Sequence, residues 1–181
     1  MEIIDMLKEN AKLTRDGKRL SFFARKKENL LLGEVSKLIY DFVIVAATFD
    51  YELLGDNIDN GFFPYLGALI EEAKTNDKWL DTTYEANAIG AAAFFSFLII
   101  DNFPGKFNFK EVKGDIPHLV YIGDIDISFN LSQTMYDILK GNADISKLDN
   151  IYELCEALSE GKVTMENIGE FATLEGTSMN T

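Results

Sequence analysis

The stretch TTYEANAIGAAAFFSFLIID, residues 82–101, decides the fold. Thr82-Thr83-Tyr84-Glu85 has the pattern of a capping box, with Thr82 as N-cap and Glu85 three residues on. The apolar run that follows, Ala88 to Ile100, is 13 residues long and contains Ser96. A bilayer needs about 20 such residues, so the run reads as a buried helix and not a membrane span. Ala88, Gly90, Ala91, Ala92 and Ala93 let neighbouring elements approach closely. Pro104-Gly105 ends the segment.

Upstream, Ile3, Ile4, Leu7 and Ala11 form one stripe and predict a short amphipathic helix over residues 1–14. Residues 15–18 read as a turn, and Ser21 is placed to cap a long helix. Leu31, Val35, Leu38, Phe42, Val45 and Phe49 recur at three or four residues, which predicts the buried stripe of that helix. Phe42-Val43-Ile44-Val45 is apolar on every side and so is expected to be central. Its β-branched content leaves a strand over residues 42–47 as the competing assignment. Residues 55–61 read as a loop by composition, followed by a helix from Tyr65 to Asn76 with Pro64 at its start.

Downstream the period changes. Phe107 and Phe109 alternate with Lys106, Asn108 and Lys110. Leu119 to Ile122 is a short apolar run, and Asp124 to Phe129 alternates strictly. These stretches predict a small antiparallel sheet around residues 106–129. Helical patterning returns over 130–140, 148–160 and 164–174, with Gly141 and Gly161 at the stops. Residues 175–181 read as a polar, frayed tail. The expectation is a mainly α (α+β) fold, with residues 1–181 forming a single domain. A chain of 181 residues buries roughly 70% of its unfolded surface and needs no staples.

Charge is the strongest bulk signal. The net charge is −13, but residues 1–37 carry nine bases and six acids, whereas residues 38–181 carry eight bases and 24 acids. A field of that sign repels nucleic acid and anionic lipid and attracts basic surfaces; it also simply aids solubility. The expectation is a basic protein partner, with no direct nucleic-acid contact and no membrane. A single cysteine, Cys155, excludes an intramolecular disulfide and fits a reducing compartment. The acidic N-terminus lacks the positive region of a signal peptide. Together these predict a soluble, cytoplasmic protein.

Catalytic and metal motifs are missing. Asp56, Asn60 and Gly61 fit positions of a calcium loop, but Ile58 and Gly67 stand where ligands are needed. One His and one Cys cannot build a zinc site, so neither metal nor cofactor is expected. His118 is the sole imidazole for a Ser-His-Asp arrangement, and no nucleophile elbow or phosphate loop occurs. Acid–base chemistry by carboxylates stays open. Asp124 and Asp126 would share a strand face roughly 6.6 Å apart. Equally, Ile125 and Ile127 packed inward would leave both acids simply solvated. Glu153, Glu156 and Glu160 line one helix face, where either water or a cation offsets their repulsion. The basic stretch from Arg15 to Lys27 is too mixed with Leu20, Phe22 and Phe23 to be a nucleic-acid tail.

The leading candidate surface is Asp50, Tyr51, Glu52, Asp56 and Asp59 with Phe62 and Phe63. Aromatic anchors ringed by charge have the composition of interface hot spots. Asp124 and Asp126 are the second candidate. The rival is that the phenylalanines enter the core while the acids face water. As a profile of size, acidity and absent catalytic motifs, the whole chain resembles the small acidic immunity proteins of bacterial toxin systems, of the contact-dependent growth inhibition type. That resemblance implies a one-to-one complex with a cationic toxin domain, expected to be a nuclease, whose active site is occluded. It carries no family residue to a position here. The alternatives are a carboxylate-based enzyme and an acidic, nucleic-acid-mimicking regulator.

Overall fold

The computed structural model describes residues 2–15, 17–54, 58–111, 117–171 and 177–178. Among the described residues there are seven helices: α1 (Ile3–Thr14), α2 (Phe22–Thr48), α3 (Ile58–Thr75), α4 (Asp81–Asn102), α5 (Leu131–Leu139), α6 (Ser146–Ser159) and α7 (Ile168–Phe171). Four strands, β1 (Phe107–Lys110), β2 (His118–Tyr121), β3 (Ser128–Phe129) and β4 (Thr177–Ser178), form one antiparallel sheet in sequence order. The fold is α+β and mostly helical, with a minor sheet.

The hub is α4. Every residue from Gly90 to Ile100 is buried, because a helix apolar on all faces must be covered on all faces. It touches α1, α2, α3, α5 and β1. Gly90 marks the closest crossing: a Cβ there would lie 2.9 Å from Cδ2 of Phe42 on α2. α4 spans 22 residues, longer than its apolar run, and by length and composition alone it could cross a membrane. Within the fold, 67% of its most apolar window is buried. Its start also differs from the capping-box pattern. Leu80 occupies the N-cap position without a side-chain cap, and Asp81 sits in the first turn, bonded to Lys140 across to α5 at 2.7 Å. That bond, and an acid at the positive helix end, suit a start two residues earlier than the box.

Residues 42–47 are helical, within α2. The helix buries Leu32, Val35, Ser36, Ile39, Phe42 and Ala46. Ser21 caps it by accepting a bond from the Ala24 N–H at 3.2 Å. The expected stripe holds at Val35 and Phe42 only: Leu32 and Ile39 are buried where Leu31 and Leu38 are half-buried, Ala46 takes the next core position, and Val45 and Phe49 are turned to solvent. Ile44 is 61% exposed, so the run around it is not central.

The region expected to be a loop before Tyr65 is helical from Ile58, with Pro64 inside α3. Packing overrides composition here. Gly61 lies so close to the chain before it that a Cβ would meet the Glu52 carbonyl oxygen at 2.4 Å. Phe62, 1% exposed, anchors the same turn in the core. The calcium-loop comparison begins at Asp56, outside the described residues, but its positions from Ile58 to Gly67 lie within α3, a helix and not a ligand loop.

In the sheet, Phe107 pairs with Tyr121 and Phe109 with Leu119, so β1 turns both phenylalanines inward. Asp124 to Ile127 keeps the predicted alternation of exposed and buried side chains but forms no strand; only Ser128 and Phe129 pair. The tail expected to fray contributes Thr177 and Ser178, paired with Phe129 and Ser128. The last predicted helix, 164–174, whose residues 172–174 lie outside the described ones, starts only at Ile168, because Asn167 folds 162–167 into a turn. Its Oδ1 accepts the Thr164 N–H at 2.6 Å and its Nδ2 donates to the Lys162 carbonyl at 2.9 Å.

Candidate functional site

Three helices end in the same hydrogen-bonded motif. After α5, Gly141 donates to Ile138 at 3.0 Å and Asn142 to Asp137 at 2.8 Å. After α6, Gly161 donates to Leu158 at 3.1 Å and Lys162 to Ala157 at 2.9 Å. After α2, Asp50 donates to Ala47 at 3.2 Å and Tyr51 to Ala46 at 3.1 Å. This is the Schellman arrangement, which places one residue in the left-handed region. Glycine fills that position twice, with φ of 75° and 70°, whereas Asp50 fills it once, with φ of 63°. Among the described residues Asp50 is the sole non-glycine with positive φ. An L-residue there costs roughly 1–2 kcal/mol, somewhat less for Asp.

A second cost adds to the first. The last turn of α2 carries no base, so no cation of that turn offsets the negative end of the helix dipole. Asp50 and the exposed Glu52 place two carboxylates beside it. Next to them Phe49 is 52% exposed, with Val45 one helical turn back on the same stripe and Ile44 and Leu54 also exposed. Tyr51 is half-buried and leans on Tyr65, with ring centroids 5.3 Å apart. The surface at the end of α2 is therefore an apolar patch with a negative rim.

Of the residues expected to form this surface, Asp50, Tyr51 and Glu52 lie on it. Phe62 does not. It stacks on Phe94 and Phe95 at 5.5 and 5.7 Å inside the core. Phe63 is half-buried against Phe62, at 5.4 Å. Asp56 lies outside the described residues; Asp59 belongs to the first turn of α3, and its side chain is likewise outside them. Phe49 supplies the exposed ring instead. The sequence signal for it existed: Ala46 offered a competing core position one residue after Val45. Asp124 and Asp126 are exposed in the connection from β2 to β3, alternating with the buried Ile125 and Ile127. Nearby, the Tyr121 hydroxyl donates to the Leu158 carbonyl at 3.1 Å, and burial, with Asp124 adding to it, raises its pKa. On α6, Lys162 pairs with Glu160 at 2.5 Å and lies near Glu156, so a cation of the chain itself offsets that acidic face.

A second feature was not foreseen. Glu85, Ala88, Ile89, His118, Asn130, Ser132, Gln133 and Tyr136 line a cavity of about 390 Å³ between α4, α5 and β2. His118 Nδ1 lies 3.2 Å from the Ser128 hydroxyl, and Asn130 Oδ1 is occupied in capping α5. A carboxylate from α4 and an imidazole from β2 thus line the same cavity. Among the described residues no cluster of three or more His, Cys, Asp or Glu is gathered to hold a metal. Cys155 is buried, and desolvation pushes its thiol far above the ordinary range, so it is not a thiolate at neutral pH. Comparison with known families, curated proteins and solved structures returns no match.

Proposed function

We propose that this chain is an acidic inhibitor of the immunity class. It binds a basic toxin domain, most simply a nuclease, at the end of α2 and neutralises it in the cytoplasm without a cofactor. The observation that carries this reading is Asp50. An acid is kept at a left-handed helix terminus where the chain elsewhere uses glycine, and beside carbonyls of like sign. Local strain of this kind is retained where a side chain has a use beyond folding. A basic groove built for phosphates supplies the complementary charge, and steering by the acidic field speeds the encounter ten- to a thousandfold. Phe49 and Val45 give the contact its apolar centre, with Asp50 and Glu52 at its rim and Tyr51 behind them. Asp124 and Asp126 form a secondary contact.

The test is coexpression with basic toxin domains encoded beside its own gene, scored by survival and by titration of the purified pair. Asp50→Asn with Glu52→Gln should weaken binding, slow association and flatten its salt dependence. Unchanged affinity in that double variant would remove the surface assignment, and no binding to any such domain would remove the class.

One observation favours an acid–base enzyme instead: Glu85 and His118 line the same cavity. On that reading Glu85→Gln abolishes turnover of a small molecule, whereas on the inhibitor reading it leaves toxin binding unchanged.

A further inference from the structure

The opposite end of α2 has the reverse character. Residues 17–27, Gly-Lys-Arg-Leu-Ser-Phe-Phe-Ala-Arg-Lys-Lys, hold five bases and no acid, in a chain whose net charge is −13. Lys18, Arg19, Arg25, Lys26 and Lys27 are all exposed. Lys27 is paired with Glu111 at 2.8 Å, but among the described residues the other four make no ion pair. In their midst stand Phe22 and Phe23, 76% and 80% exposed. Their rings touch edge to face at 5.8 Å, and the Ser21 cap holds the turn that carries them. Most other phenylalanines of the chain are covered by the core or packed against it. Two bare rings on a helix start, framed by cations, do not serve the fold.

We propose that this corner docks the protein on an anionic lipid surface. Phe22 and Phe23 enter the interfacial layer, and Lys18, Arg19, Arg25, Lys26 and Lys27 engage the lipid phosphates. Charge selects this occupant. Residues 38–181 are too acidic to approach such a surface, so the chain's own field turns the basic end toward it and the acidic end away. Shape agrees. Two rings at a convex helix start need no complementary groove in a fluid interface, whereas a protein partner needs a shaped site. Rings set at 80° to each other also give no parallel platform for successive nucleobases. The proposal departs, at this corner alone, from the expectation that the net charge keeps the chain off membranes. The inference is independent of toxin binding: the 26 helical steps from Phe22 to Thr48 separate the two ends of α2 by about 39 Å.

The experiment is sedimentation of the full chain with vesicles of mixed phosphatidylglycerol and phosphatidylcholine, beside vesicles of phosphatidylcholine alone. Binding should require phosphatidylglycerol and fall with added salt. Arg25→Gln with Lys26→Gln should weaken partitioning about 25-fold, since each cation near the surface contributes about fivefold. Phe22→Ser with Phe23→Ser should weaken it by at least about tenfold. All four positions are exposed, so melting curves of the variants should overlay the parent. F22W should add an emission component that shifts to the blue on anionic vesicles. Equal binding to both vesicle types, or variants that partition like the parent, overturns the proposal. So does sedimentation equilibrium showing a dimer that Phe22→Ser with Phe23→Ser dissolves, for then a second copy covers the rings.

Discussion

Replacing Asp50 with glycine should make the protein more stable and its complex weaker. Glycine relieves the left-handed backbone, which costs an L-residue roughly 1–2 kcal/mol, with Asp at the lower end. Removing the carboxylate from the negative end of α2 adds about 0.3–1 kcal/mol, reduced by exposure and salt. Against both stands the greater freedom of glycine in the unfolded chain, about 0.4–1 kcal/mol. The balance is a gain of about 1 kcal/mol, which for a domain of this size raises Tm by roughly 2–4 °C. Both Schellman bonds, Asp50 to Ala47 and Tyr51 to Ala46, are backbone bonds and survive the change. Urea unfolding and calorimetry measure the gain; the same sample titrated against a basic toxin domain measures the loss. Asp50→Ala is the control. It removes the same charge but keeps the strained φ, so it should bind as poorly as the glycine variant without its added stability. A lower Tm for Asp50→Gly than for the parent would refute the argument from φ. Higher stability with undiminished binding would refute the use assigned to Asp50.

Phe62 and Phe49 should respond in opposite ways. Phe62→Ala opens the stack on Phe94 and Phe95 and should cost about 3–5 kcal/mol, seen as a large fall in the urea midpoint. Phe49→Ala should change stability by less than about 0.5 kcal/mol while reducing toxin affinity, measured by calorimetric titration. Tyr65→Phe should stabilise the fold by about 1 kcal/mol, because the Tyr65 hydroxyl is buried with no partner among the described residues. Burial, with Glu72 adding to it, raises the Tyr65 pKa from 10.0 to about 12, so the parent loses stability as pH climbs from the first value through the second. The phenylalanine variant should escape that part of the loss in alkaline melts. Asp81→Asn should destabilise at neutral pH, because the hydrogen bond and charge of Lys140 lower the Asp81 pKa. That contribution is present above the ordinary carboxylate pKa and disappears as pH falls through the lowered one. The melting curves of parent and variant should therefore converge in acid, and a difference that persists there would assign the effect to something other than charge.

Much of this architecture is legible in residue order. The all-apolar run from Ala88 marks α4 as the hub, Phe107 and Phe109 mark an inward-facing strand, and Gly141 and Gly161 mark two helix ends. What local pattern misstates is set by distant partners. The Thr82 box yields to Asp81 because Lys140 waits 59 residues away. The Gly-Asp-Asn composition before Phe62 yields to helix because Gly61 can lie against the Glu52 carbonyl. Asn10 was invisible as a structural residue. Its side chain donates to the Phe107 carbonyl and accepts from the Gly105 N–H, both at 2.7 Å, tying α1 to the turn before β1. No period or propensity predicts a buried amide whose two partners lie some 95 positions on.

The candidate surface was half legible for a related reason. Acidity around residues 50–52 is readable, but which aromatic ring accompanies it depends on the phase of α2. Over the last two turns the helix offers two apolar stripes, one through Val45 and Phe49 and one through Ala46. Periodicity favours the first because its side chains are larger. Geometry favours the second, because α4 crosses where Gly90 admits Phe42, and an interhelix gap that narrow accepts alanine next and not valine. The consequence runs from packing to chemistry. Tight crossing forces the larger residues outward, beside Asp50 and Glu52. The exposed ring at the acidic end is thus the by-product of a small-residue contact on the far side of the same helix. Lengthening Ala46 to leucine should therefore disturb the surface without touching it. If α2 rolls to relieve the clash, Phe49 loses exposure and the complex weakens more than stability alone accounts for. An affinity that tracks only the folded fraction would show that the crossing does not set the phase.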